Sequence, residues 1–218
     1  MIEELLPPGV RSAEAFDDSV EAPLLPGESE AVSGATQRRR REYATVRRCA
    51  RAALAELGVG PTALVPDAYG APRWPQAIVG SMTHCPGYRA AAVAPSDLVR
   101  AVGVDAEPDE PLPAVIDQIA DAAERRHIED LRTRADPVHW DRLLFCCKEA
   151  VYKAWFPLTG RWLGFHDAVV TIDPDRNTFR ARLRPSRPAR TDDEPAVFSG
   201  RWLARDGLLL AAIADDPV

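Results

Sequence analysis

The sequence predicts a mixed α/β (α+β) fold, and three observations carry that expectation. Residues 37–57 and 138–156 have helical composition and contain no glycine or proline. Short apolar runs bounded by Pro, Gly and Asp lie between and after them, which is strand patterning. The last four such runs follow one another directly, separated by turn residues, as in an antiparallel meander. A chain of 218 residues suits one generous domain or two compact halves.

Residues 1–31 are rich in Pro, Glu and Asp with scattered apolar residues (Leu5, Leu6, Val10, Phe16, Leu24, Leu25). They predict an extended segment laid on a neighbouring surface, with one short strand. Ser33 or Thr36 can cap the first long helix, which runs to about Leu57 and stops at Gly58. Its basic side is dense: Arg38, Arg39, Arg40, Arg41, Arg47, Arg48 and Arg51. Such a run suits a solvated face or a phosphate clamp, since a guanidinium grips phosphate through two parallel hydrogen bonds. Ala63-Leu64-Val65 reads as a short strand within a loop. A strand beginning at Ala77 runs into Ser81-Met82-Thr83-His84, turns at Pro86-Gly87 and returns over Arg89–Ala94.

Leu98–Glu107 predicts the next strand. Asp105 and Glu107, at i and i+2, leave the same face. Two carboxylates held side by side repel unless a cation lies between them. A few oxygen ligands of this kind suit a Mg²⁺ ion that keeps waters and binds a phosphate-bearing substrate. Residues 113–133 predict one or two short helices, with Val115, Ile116, Ile119 and Ile128 inward and Arg125, Arg126, Arg132 and Arg134 outward. Asp136-Pro137 opens the second long helix and Pro157 and Gly160 close it. The meander then comprises Ala168–Ile172, Thr178–Leu183, Ala196–Leu203 and Leu208–Ile213. Arg184–Pro195 reads as a Pro/Arg-rich loop.

The second helix is chemically distinctive. Of 27 basic residues 25 are arginine, and the only lysines, Lys148 and Lys153, flank Glu149 in one six-residue window. Arginine would supply charge as well, so two compact ammonium groups there suggest a chemical need. Glu149 and Lys153 are i,i+4 on one face, and Lys148 and Tyr152 form a second such pair. Leu143, Leu144, Val151 and Trp155 supply a buried stripe. Three carboxylates with Mg²⁺ beside several cations would serve a polyphosphate ester. Neither a G-x-x-x-x-G-K-[ST] nor a G-x-G-x-x-G segment occurs, which weakens an ordinary nucleotide-binding reading.

Composition narrows the partners. The net charge of -6 argues against nucleic acid. No run of 18 apolar residues exists to span a membrane, and Met1-Ile2-Glu3-Glu4 lacks a secretory pattern. Cys49, Cys85, Cys146 and Cys147 have neither CxxC spacing nor a His partner at zinc-site distance, so reduced thiols in a cytoplasm are expected.

Gly103-Val104-Asp105-Ala106-Glu107, together with Phe145-Cys146-Cys147-Lys148-Glu149-Ala150-Val151-Tyr152-Lys153-Ala154-Trp155, resembles the paired signature of the 4′-phosphopantetheinyl transferases. Trp74-Pro75 and Gly80-Ser81-Met82-Thr83-His84-Cys85 resemble the Sfp-type subgroup that includes the enterobactin-synthase component and actinobacterial type II enzymes. The likeness spans roughly residues 37–168 and takes in Arg38–Tyr43, Arg47–Arg51 and Arg161–Phe165.

The resemblance implies two similar α/β halves related by a pseudo-two-fold, 1–102 and 103–218, in one monomer with the active site between them. It implies coenzyme A as donor and Mg²⁺ (or Mn²⁺) as metal. The acceptor would be an apo acyl or peptidyl carrier protein of fatty acid, polyketide or nonribosomal peptide synthesis, siderophore assembly included. Asp105 and Glu149 would hold the metal, with Glu107 a direct or water-mediated ligand, and Glu149 would take the carrier serine's proton directly or through water. Lys153 would neutralise the transferring phosphate, and Lys148 would lie along the phosphopantetheine path. Thr83 and His84 would contact the CoA phosphates, and Arg39 and Arg47 would hold the 3′-phosphate and pyrophosphate. Some relatives carry a lysine in the 64–69 loop or just after Gly70. Here Pro66 and Ala71 stand there, and Arg73 is the basic residue that could replace it. Two other classes compete. One is a non-catalytic module that binds CoA or carrier domains. The other is a metal-dependent phosphohydrolase of CoA-like esters.

Overall fold

The first half of the chain is organised by helix α1 (Gln37–Glu56), whose first turn is capped by Thr36: its hydroxyl oxygen accepts the Arg39 N–H at 3.3 Å. Cys49, Ala50, Ala53 and Leu54 form its buried side and pack against Ala91 and Val93. Those residues belong to β3 (Tyr88–Pro95), the centre of an antiparallel sheet with β1 (Arg11–Ala15) and β2 (Ile78–Cys85) on its edges. The computed structural model describes residues 1–113, 115–184 and 194–216.

The second half has a five-stranded antiparallel sheet, comprising β4 (Ala101–Pro108), β5 (Ala168–Asp173), β6 (Thr178–Leu183), β7 (Val197–Arg205) and β8 (Leu208–Asp215). Its order is β4-β8-β7-β6-β5, so the expected meander is extended by β4 at one edge. Three helices, α2 (Ile116–Ile119), α3 (Ala122–Arg132) and α4 (Trp140–Thr159), intervene between β4 and β5. The apolar stripe of α4, including Leu143, Val151 and Trp155, lies in the largest core with Phe179, Phe198 and Leu209 from the sheet. The fold is thus mixed α+β, with one 20-residue helix against an antiparallel sheet in each half. Among the described residues no helix is long and apolar enough to cross a membrane.

A second core joins the halves. Tyr88, Ala90, Ala92 and Ala94 of β3 meet Val102, Val104 and Ala106 of β4 and Leu208, Leu210 and Ala212 of β8. Where β2 faces β4, two side-chain hydroxyls bridge the sheets. Ser81 Oγ accepts the Val104 N–H and Thr83 Oγ1 the Ala106 N–H, both at 3.1 Å. Buried backbone donors at a sheet edge are thereby satisfied.

Four local expectations are corrected. Residues 63–65 form no strand, because side chains take the backbone groups of Leu64: Glu28 accepts its N–H at 2.8 Å and Arg47 donates to its carbonyl at 3.0 Å. The strand expected from Leu98 begins at Ala101. Helix α4 starts at Trp140 rather than at Asp136-Pro137. Asp109, distant in sequence, accepts both the N–H and the ring Nδ1–H of His139 at 2.9 Å and so fixes the helix start. At its other end α4 runs through Pro157 and stops at Gly160 in the left-handed conformation (φ 60°).

Gly103 sets how closely α4 approaches β4. A Cβ there would collide with the Ala150 carbonyl oxygen and meet the Ala154 nitrogen at 2.9 Å. Both obstacles are helix backbone, so Gly103→Ala must push α4 off the sheet. We expect a loss of at least about 1–3 kcal/mol, read as a lowered urea midpoint with unchanged m-value. A midpoint equal to the parent's would show that the helix yields without cost.

Candidate active site

A cavity of about 770 Å³ lies between the halves, within the usual range for small-molecule sites. Helix α1 contributes Arg39, Tyr43 and Arg47, and β2 contributes Gly80 to His84. The 66–72 loop and Trp74 form another wall, and α4 contributes Glu149, Tyr152, Lys153 and Phe156. Of the residues singled out by sequence, Arg39, Arg47, Thr83, His84, Glu149 and Lys153 therefore meet in one space.

Asp105 is joined to two of them. Thr83 Oγ1 donates to its Oδ1 at 3.0 Å, and Lys153 Nζ donates to the same oxygen at 2.6 Å. Lys153 also donates to the Val104 carbonyl. The expected i,i+4 pair with Glu149 is absent, because Lys153 turns toward β4. Burial works against the Lys153 charge, but Asp105 and then Glu149 outweigh it and raise its pKa. Glu149 is left without a hydrogen-bond partner among the described residues. Its carboxyl is pushed above the usual range by desolvation and by Asp105, with Lys153 opposing.

Glu107 accepts from Arg142 Nη1 at 3.1 Å and is raised to about 7 by desolvation and by Asp105. The other oxygen of Asp105, Oδ2, is buried with no partner. Mutually repelling carboxylates beside an unsatisfied buried oxygen are electrostatically suited to a divalent cation. By that test Asp105, Glu107 and Glu149 fit Mg²⁺. As they stand, Lys153 and Arg142 supply the positive charge. Among the described residues no three His, Cys, Asp or Glu converge closely enough to form a ready-made ion site.

Asp105 and Glu107 are not themselves among the lining residues, and two further expected residues lie elsewhere. The Lys148 ammonium is buried under the helix, and Lys148 is not among the residues that line the cavity. It donates to Glu124 at 2.9 Å, to the Phe165 carbonyl at 2.6 Å and to the Ala168 carbonyl at 2.7 Å. Nor does it pair with Tyr152, whose ring lies against Phe156 and Trp162. Arg73 is exposed and is not among the lining residues; Tyr69 occupies that rim instead, edge-on to Phe156 at 5.5 Å.

Comparison with known proteins places the chain in a family. A model of the 4′-phosphopantetheinyl transferase N-terminal domain matches residues 27–94, and one of the 4′-phosphopantetheinyl transferase superfamily matches residues 101–204. The chain is 47% identical over 218 residues to 4′-phosphopantetheinyl transferase Svp of Streptomyces mobaraensis, covering 98% of this chain and 89% of that one. It is 46% identical to 4′-phosphopantetheinyl transferase Npt of Nocardia iowensis, over 98% of this chain and 99% of that one. With PptT of Mycobacterium tuberculosis the identity is 45%, over 92% and 90% of the two chains. The chain belongs to the 4′-phosphopantetheinyl transferase superfamily.

In this transferase the two family models part between residues 94 and 101, in the connection from β3 to β4. Sequence reasoning missed Arg142, Tyr43 and Asp109. Arg142 was findable, since it lies two helical turns before Glu149 and so shares its face. Nothing local marks Tyr43, whose ring carries the Arg47 guanidinium 3.2 Å above its centroid. Desolvation lowers the Arg47 pKa to about 10, so the group stays charged at neutral pH.

His84 is exposed at the cavity mouth, where its Nε2 accepts a hydrogen bond from Arg39. That bond requires a neutral ring with its proton on Nδ1. Desolvation and then Arg39 hold its pKa below the usual histidine range. In an NMR titration we expect His84 to titrate below 6.5 and to move upward in Arg39→Ala. An unchanged titration in that variant would dissociate the two groups.

Proposed function

We propose that the transferase moves 4′-phosphopantetheine from coenzyme A to a serine of an apo acyl or peptidyl carrier protein, with Mg²⁺ bound. The observation that carries this reading is one cavity lined by Glu149 and Lys153 from α4 and by Arg39, Arg47 and His84 from the other half. Residues 1–102 would hold the donor's phosphates, and residues 103–218 would bear the catalytic helix and the carboxylates. Arg39 and Arg47 offer bidentate donors to phosphate. His84 adds a neutral imidazole whose protonation a nearby phosphate would favour.

Serine Oγ attacks the β-phosphorus of CoA, and the bond from that phosphorus to the anhydride oxygen breaks. The departing 3′,5′-ADP keeps that oxygen and its electron pair. Glu149 takes the serine proton; its raised pKa and unbonded carboxylate suit a base working near neutrality. Lys153, held by Asp105, places a permanent positive charge beside the transferring phosphoryl group. Asp105, Glu107 and Glu149 would hold Mg²⁺, which when bound supplies further charge neutralisation for the pyrophosphate.

Intact mass of an apo carrier after incubation with enzyme, CoA and Mg²⁺ tests the reading. One added phosphopantetheine, abolished by EDTA and by Glu149→Gln, is expected. CoA bound without transfer to any carrier would support a binding module. CoA cleaved with the carrier unmodified would support a hydrolase.

For the acceptor, we propose that the arginines on and after α3 meet an acidic carrier. Arg125, Arg132 and Arg134 are engaged with Asp117, Asp141, Asp136 and Asp175. Arg126 is exposed with no acidic partner among the described residues. Arg126→Glu should raise the carrier KM severalfold and leave the CoA Kd unaltered. Unchanged carrier kinetics would remove α3 from the docking surface.

A further inference from the structure

One carboxylate outside the reaction centre is held by more partners than structure alone requires. Glu28 is fully buried, in the acidic, proline-rich stretch before α1. A buried carboxylate is costly unless it is hydrogen-bonded and charge-balanced. Glu28 is both. Its Oε2 accepts the Leu25 N–H at 2.8 Å and its Oε1 the Leu64 N–H at 2.8 Å, while Arg51 Nη1 reaches both oxygens at 2.9 and 3.1 Å.

Arg51 by itself would neutralise the carboxylate. A second guanidinium is nevertheless present: Arg47 Nε lies 4.0 Å from Glu28 Oε1 and donates to the Leu64 carbonyl at 3.0 Å. Leu64 is therefore gripped at both backbone groups, its N–H by Glu28 and its C=O by Arg47. The Arg47 guanidinium lies over the Tyr43 ring and lines the cavity. Among the described residues, no hydrogen bond engages its two terminal nitrogens. One carboxylate between two guanidiniums leaves a net positive charge, and the group that is not directly bonded to Glu28 is the one at the cavity.

We propose that Glu28 is a positioning residue for donor binding: through Leu64 and the shared ion cluster it fixes the orientation of Arg47, so that the terminal nitrogens of Arg47 present their charge to a phosphate of CoA. The proposal rests on the reading that this cavity holds CoA, and it adds to that reading the residue that aims the arginine. Glu28 touches no substrate. Its loss acts on donor affinity and KM, and the phosphoryl-transfer step is left to α4 and β4.

The test is a double-mutant cycle with Glu28→Gln and Arg47→Ala, using calorimetric Kd values for CoA and 3′,5′-ADP together with KM and kcat. We expect Glu28→Gln to weaken CoA by about tenfold, with the effect in Kd and KM rather than kcat. In the Arg47→Ala background the same substitution should change Kd by less than about twofold, because its target is gone. Equal losses in both backgrounds would make Glu28 a general structural residue and overturn the proposal. So would a parental CoA affinity in Glu28→Gln when Arg47→Ala alone is weakened. If Glu28→Gln does not fold, Glu28→Asp replaces it. The shorter side chain keeps the charge but cannot span Leu64 and Arg51 together, so a smaller loss is expected, again confined to the Arg47 background. An Arg47→Ala enzyme that binds CoA as the parent does would remove the underlying reading, and the proposal with it.

Discussion

Glu149→Gln is expected to lower the rate of phosphopantetheine transfer by about a thousandfold, within the range for loss of a positioned general base. The amide keeps the size of the side chain and cannot accept the serine proton. It also removes one of the two carboxyls that Asp105 pushes upward, in the set proposed to hold Mg²⁺. CoA affinity should stay within a few-fold, because the groups proposed to face the donor's phosphates lie on α1 and β2 in the other half. Single-turnover mass spectrometry at saturating CoA separates the two quantities. A fall of less than tenfold would exclude Glu149 as the base and leave proton removal to solvent.

Lys148→Met is expected to be the most destabilising substitution in the signature helix, although Lys148 neighbours Glu149, the proposed base. The Lys148 and Glu124 side chains are each 1% exposed, and removing one member of a buried pair typically costs about 3–5 kcal/mol. For a chain of this size that corresponds to a Tm lower by roughly 6–20 °C. Glu124 would keep its bonds from the Asp121 and Val170 N–H groups but lose its counter-charge. The carbonyls of Phe165 and Ala168 would lose a donor as well. The double substitution Lys148→Met with Glu124→Gln should recover part of the loss. CoA affinity of the folded variant should equal the parent's. A drop in CoA affinity with little change in urea midpoint would return Lys148 to the donor's path.

The contrast between the two lysines shows where sequence reading stops. Their scarcity and their spacing around Glu149 point to a helix that lines the cavity, because i,i+4 geometry is a property of the helix itself. Which ammonium faces the cavity depends on what stands on either side of the helix. Asp105 on β4 draws Lys153 to the cavity side, and Glu124 on α3 draws Lys148 beneath it. Helix α1 with its Thr36 cap, the Pro86-Gly87 turn and the β5–β8 meander were legible for the same local reason, since caps, turns and periodicity are encoded within a few residues. The start of α4 was misplaced because its anchor, Asp109, is remote in sequence. The strand expected at 63–65 failed because Glu28 and Arg47 bind the Leu64 backbone. Glu28 carried no local signal at all, as an acidic residue in a polar stretch gives no sign of being fully buried.

By itself, then, the sequence determined the mixed fold class, the order of its elements and the family, along with the strand that bears Asp105 and Glu107 and the helix that bears Glu149. Those are consequences of local periodicity and of short motifs with a chemical reason for their spacing. Only the tertiary structure decided that Lys153 pairs with Asp105 rather than Glu149, that Arg142 holds Glu107 and that Lys148 is buried against Glu124. A buried charge takes the counter-charge that packing brings nearest, and packing here brings together residues far apart in the chain.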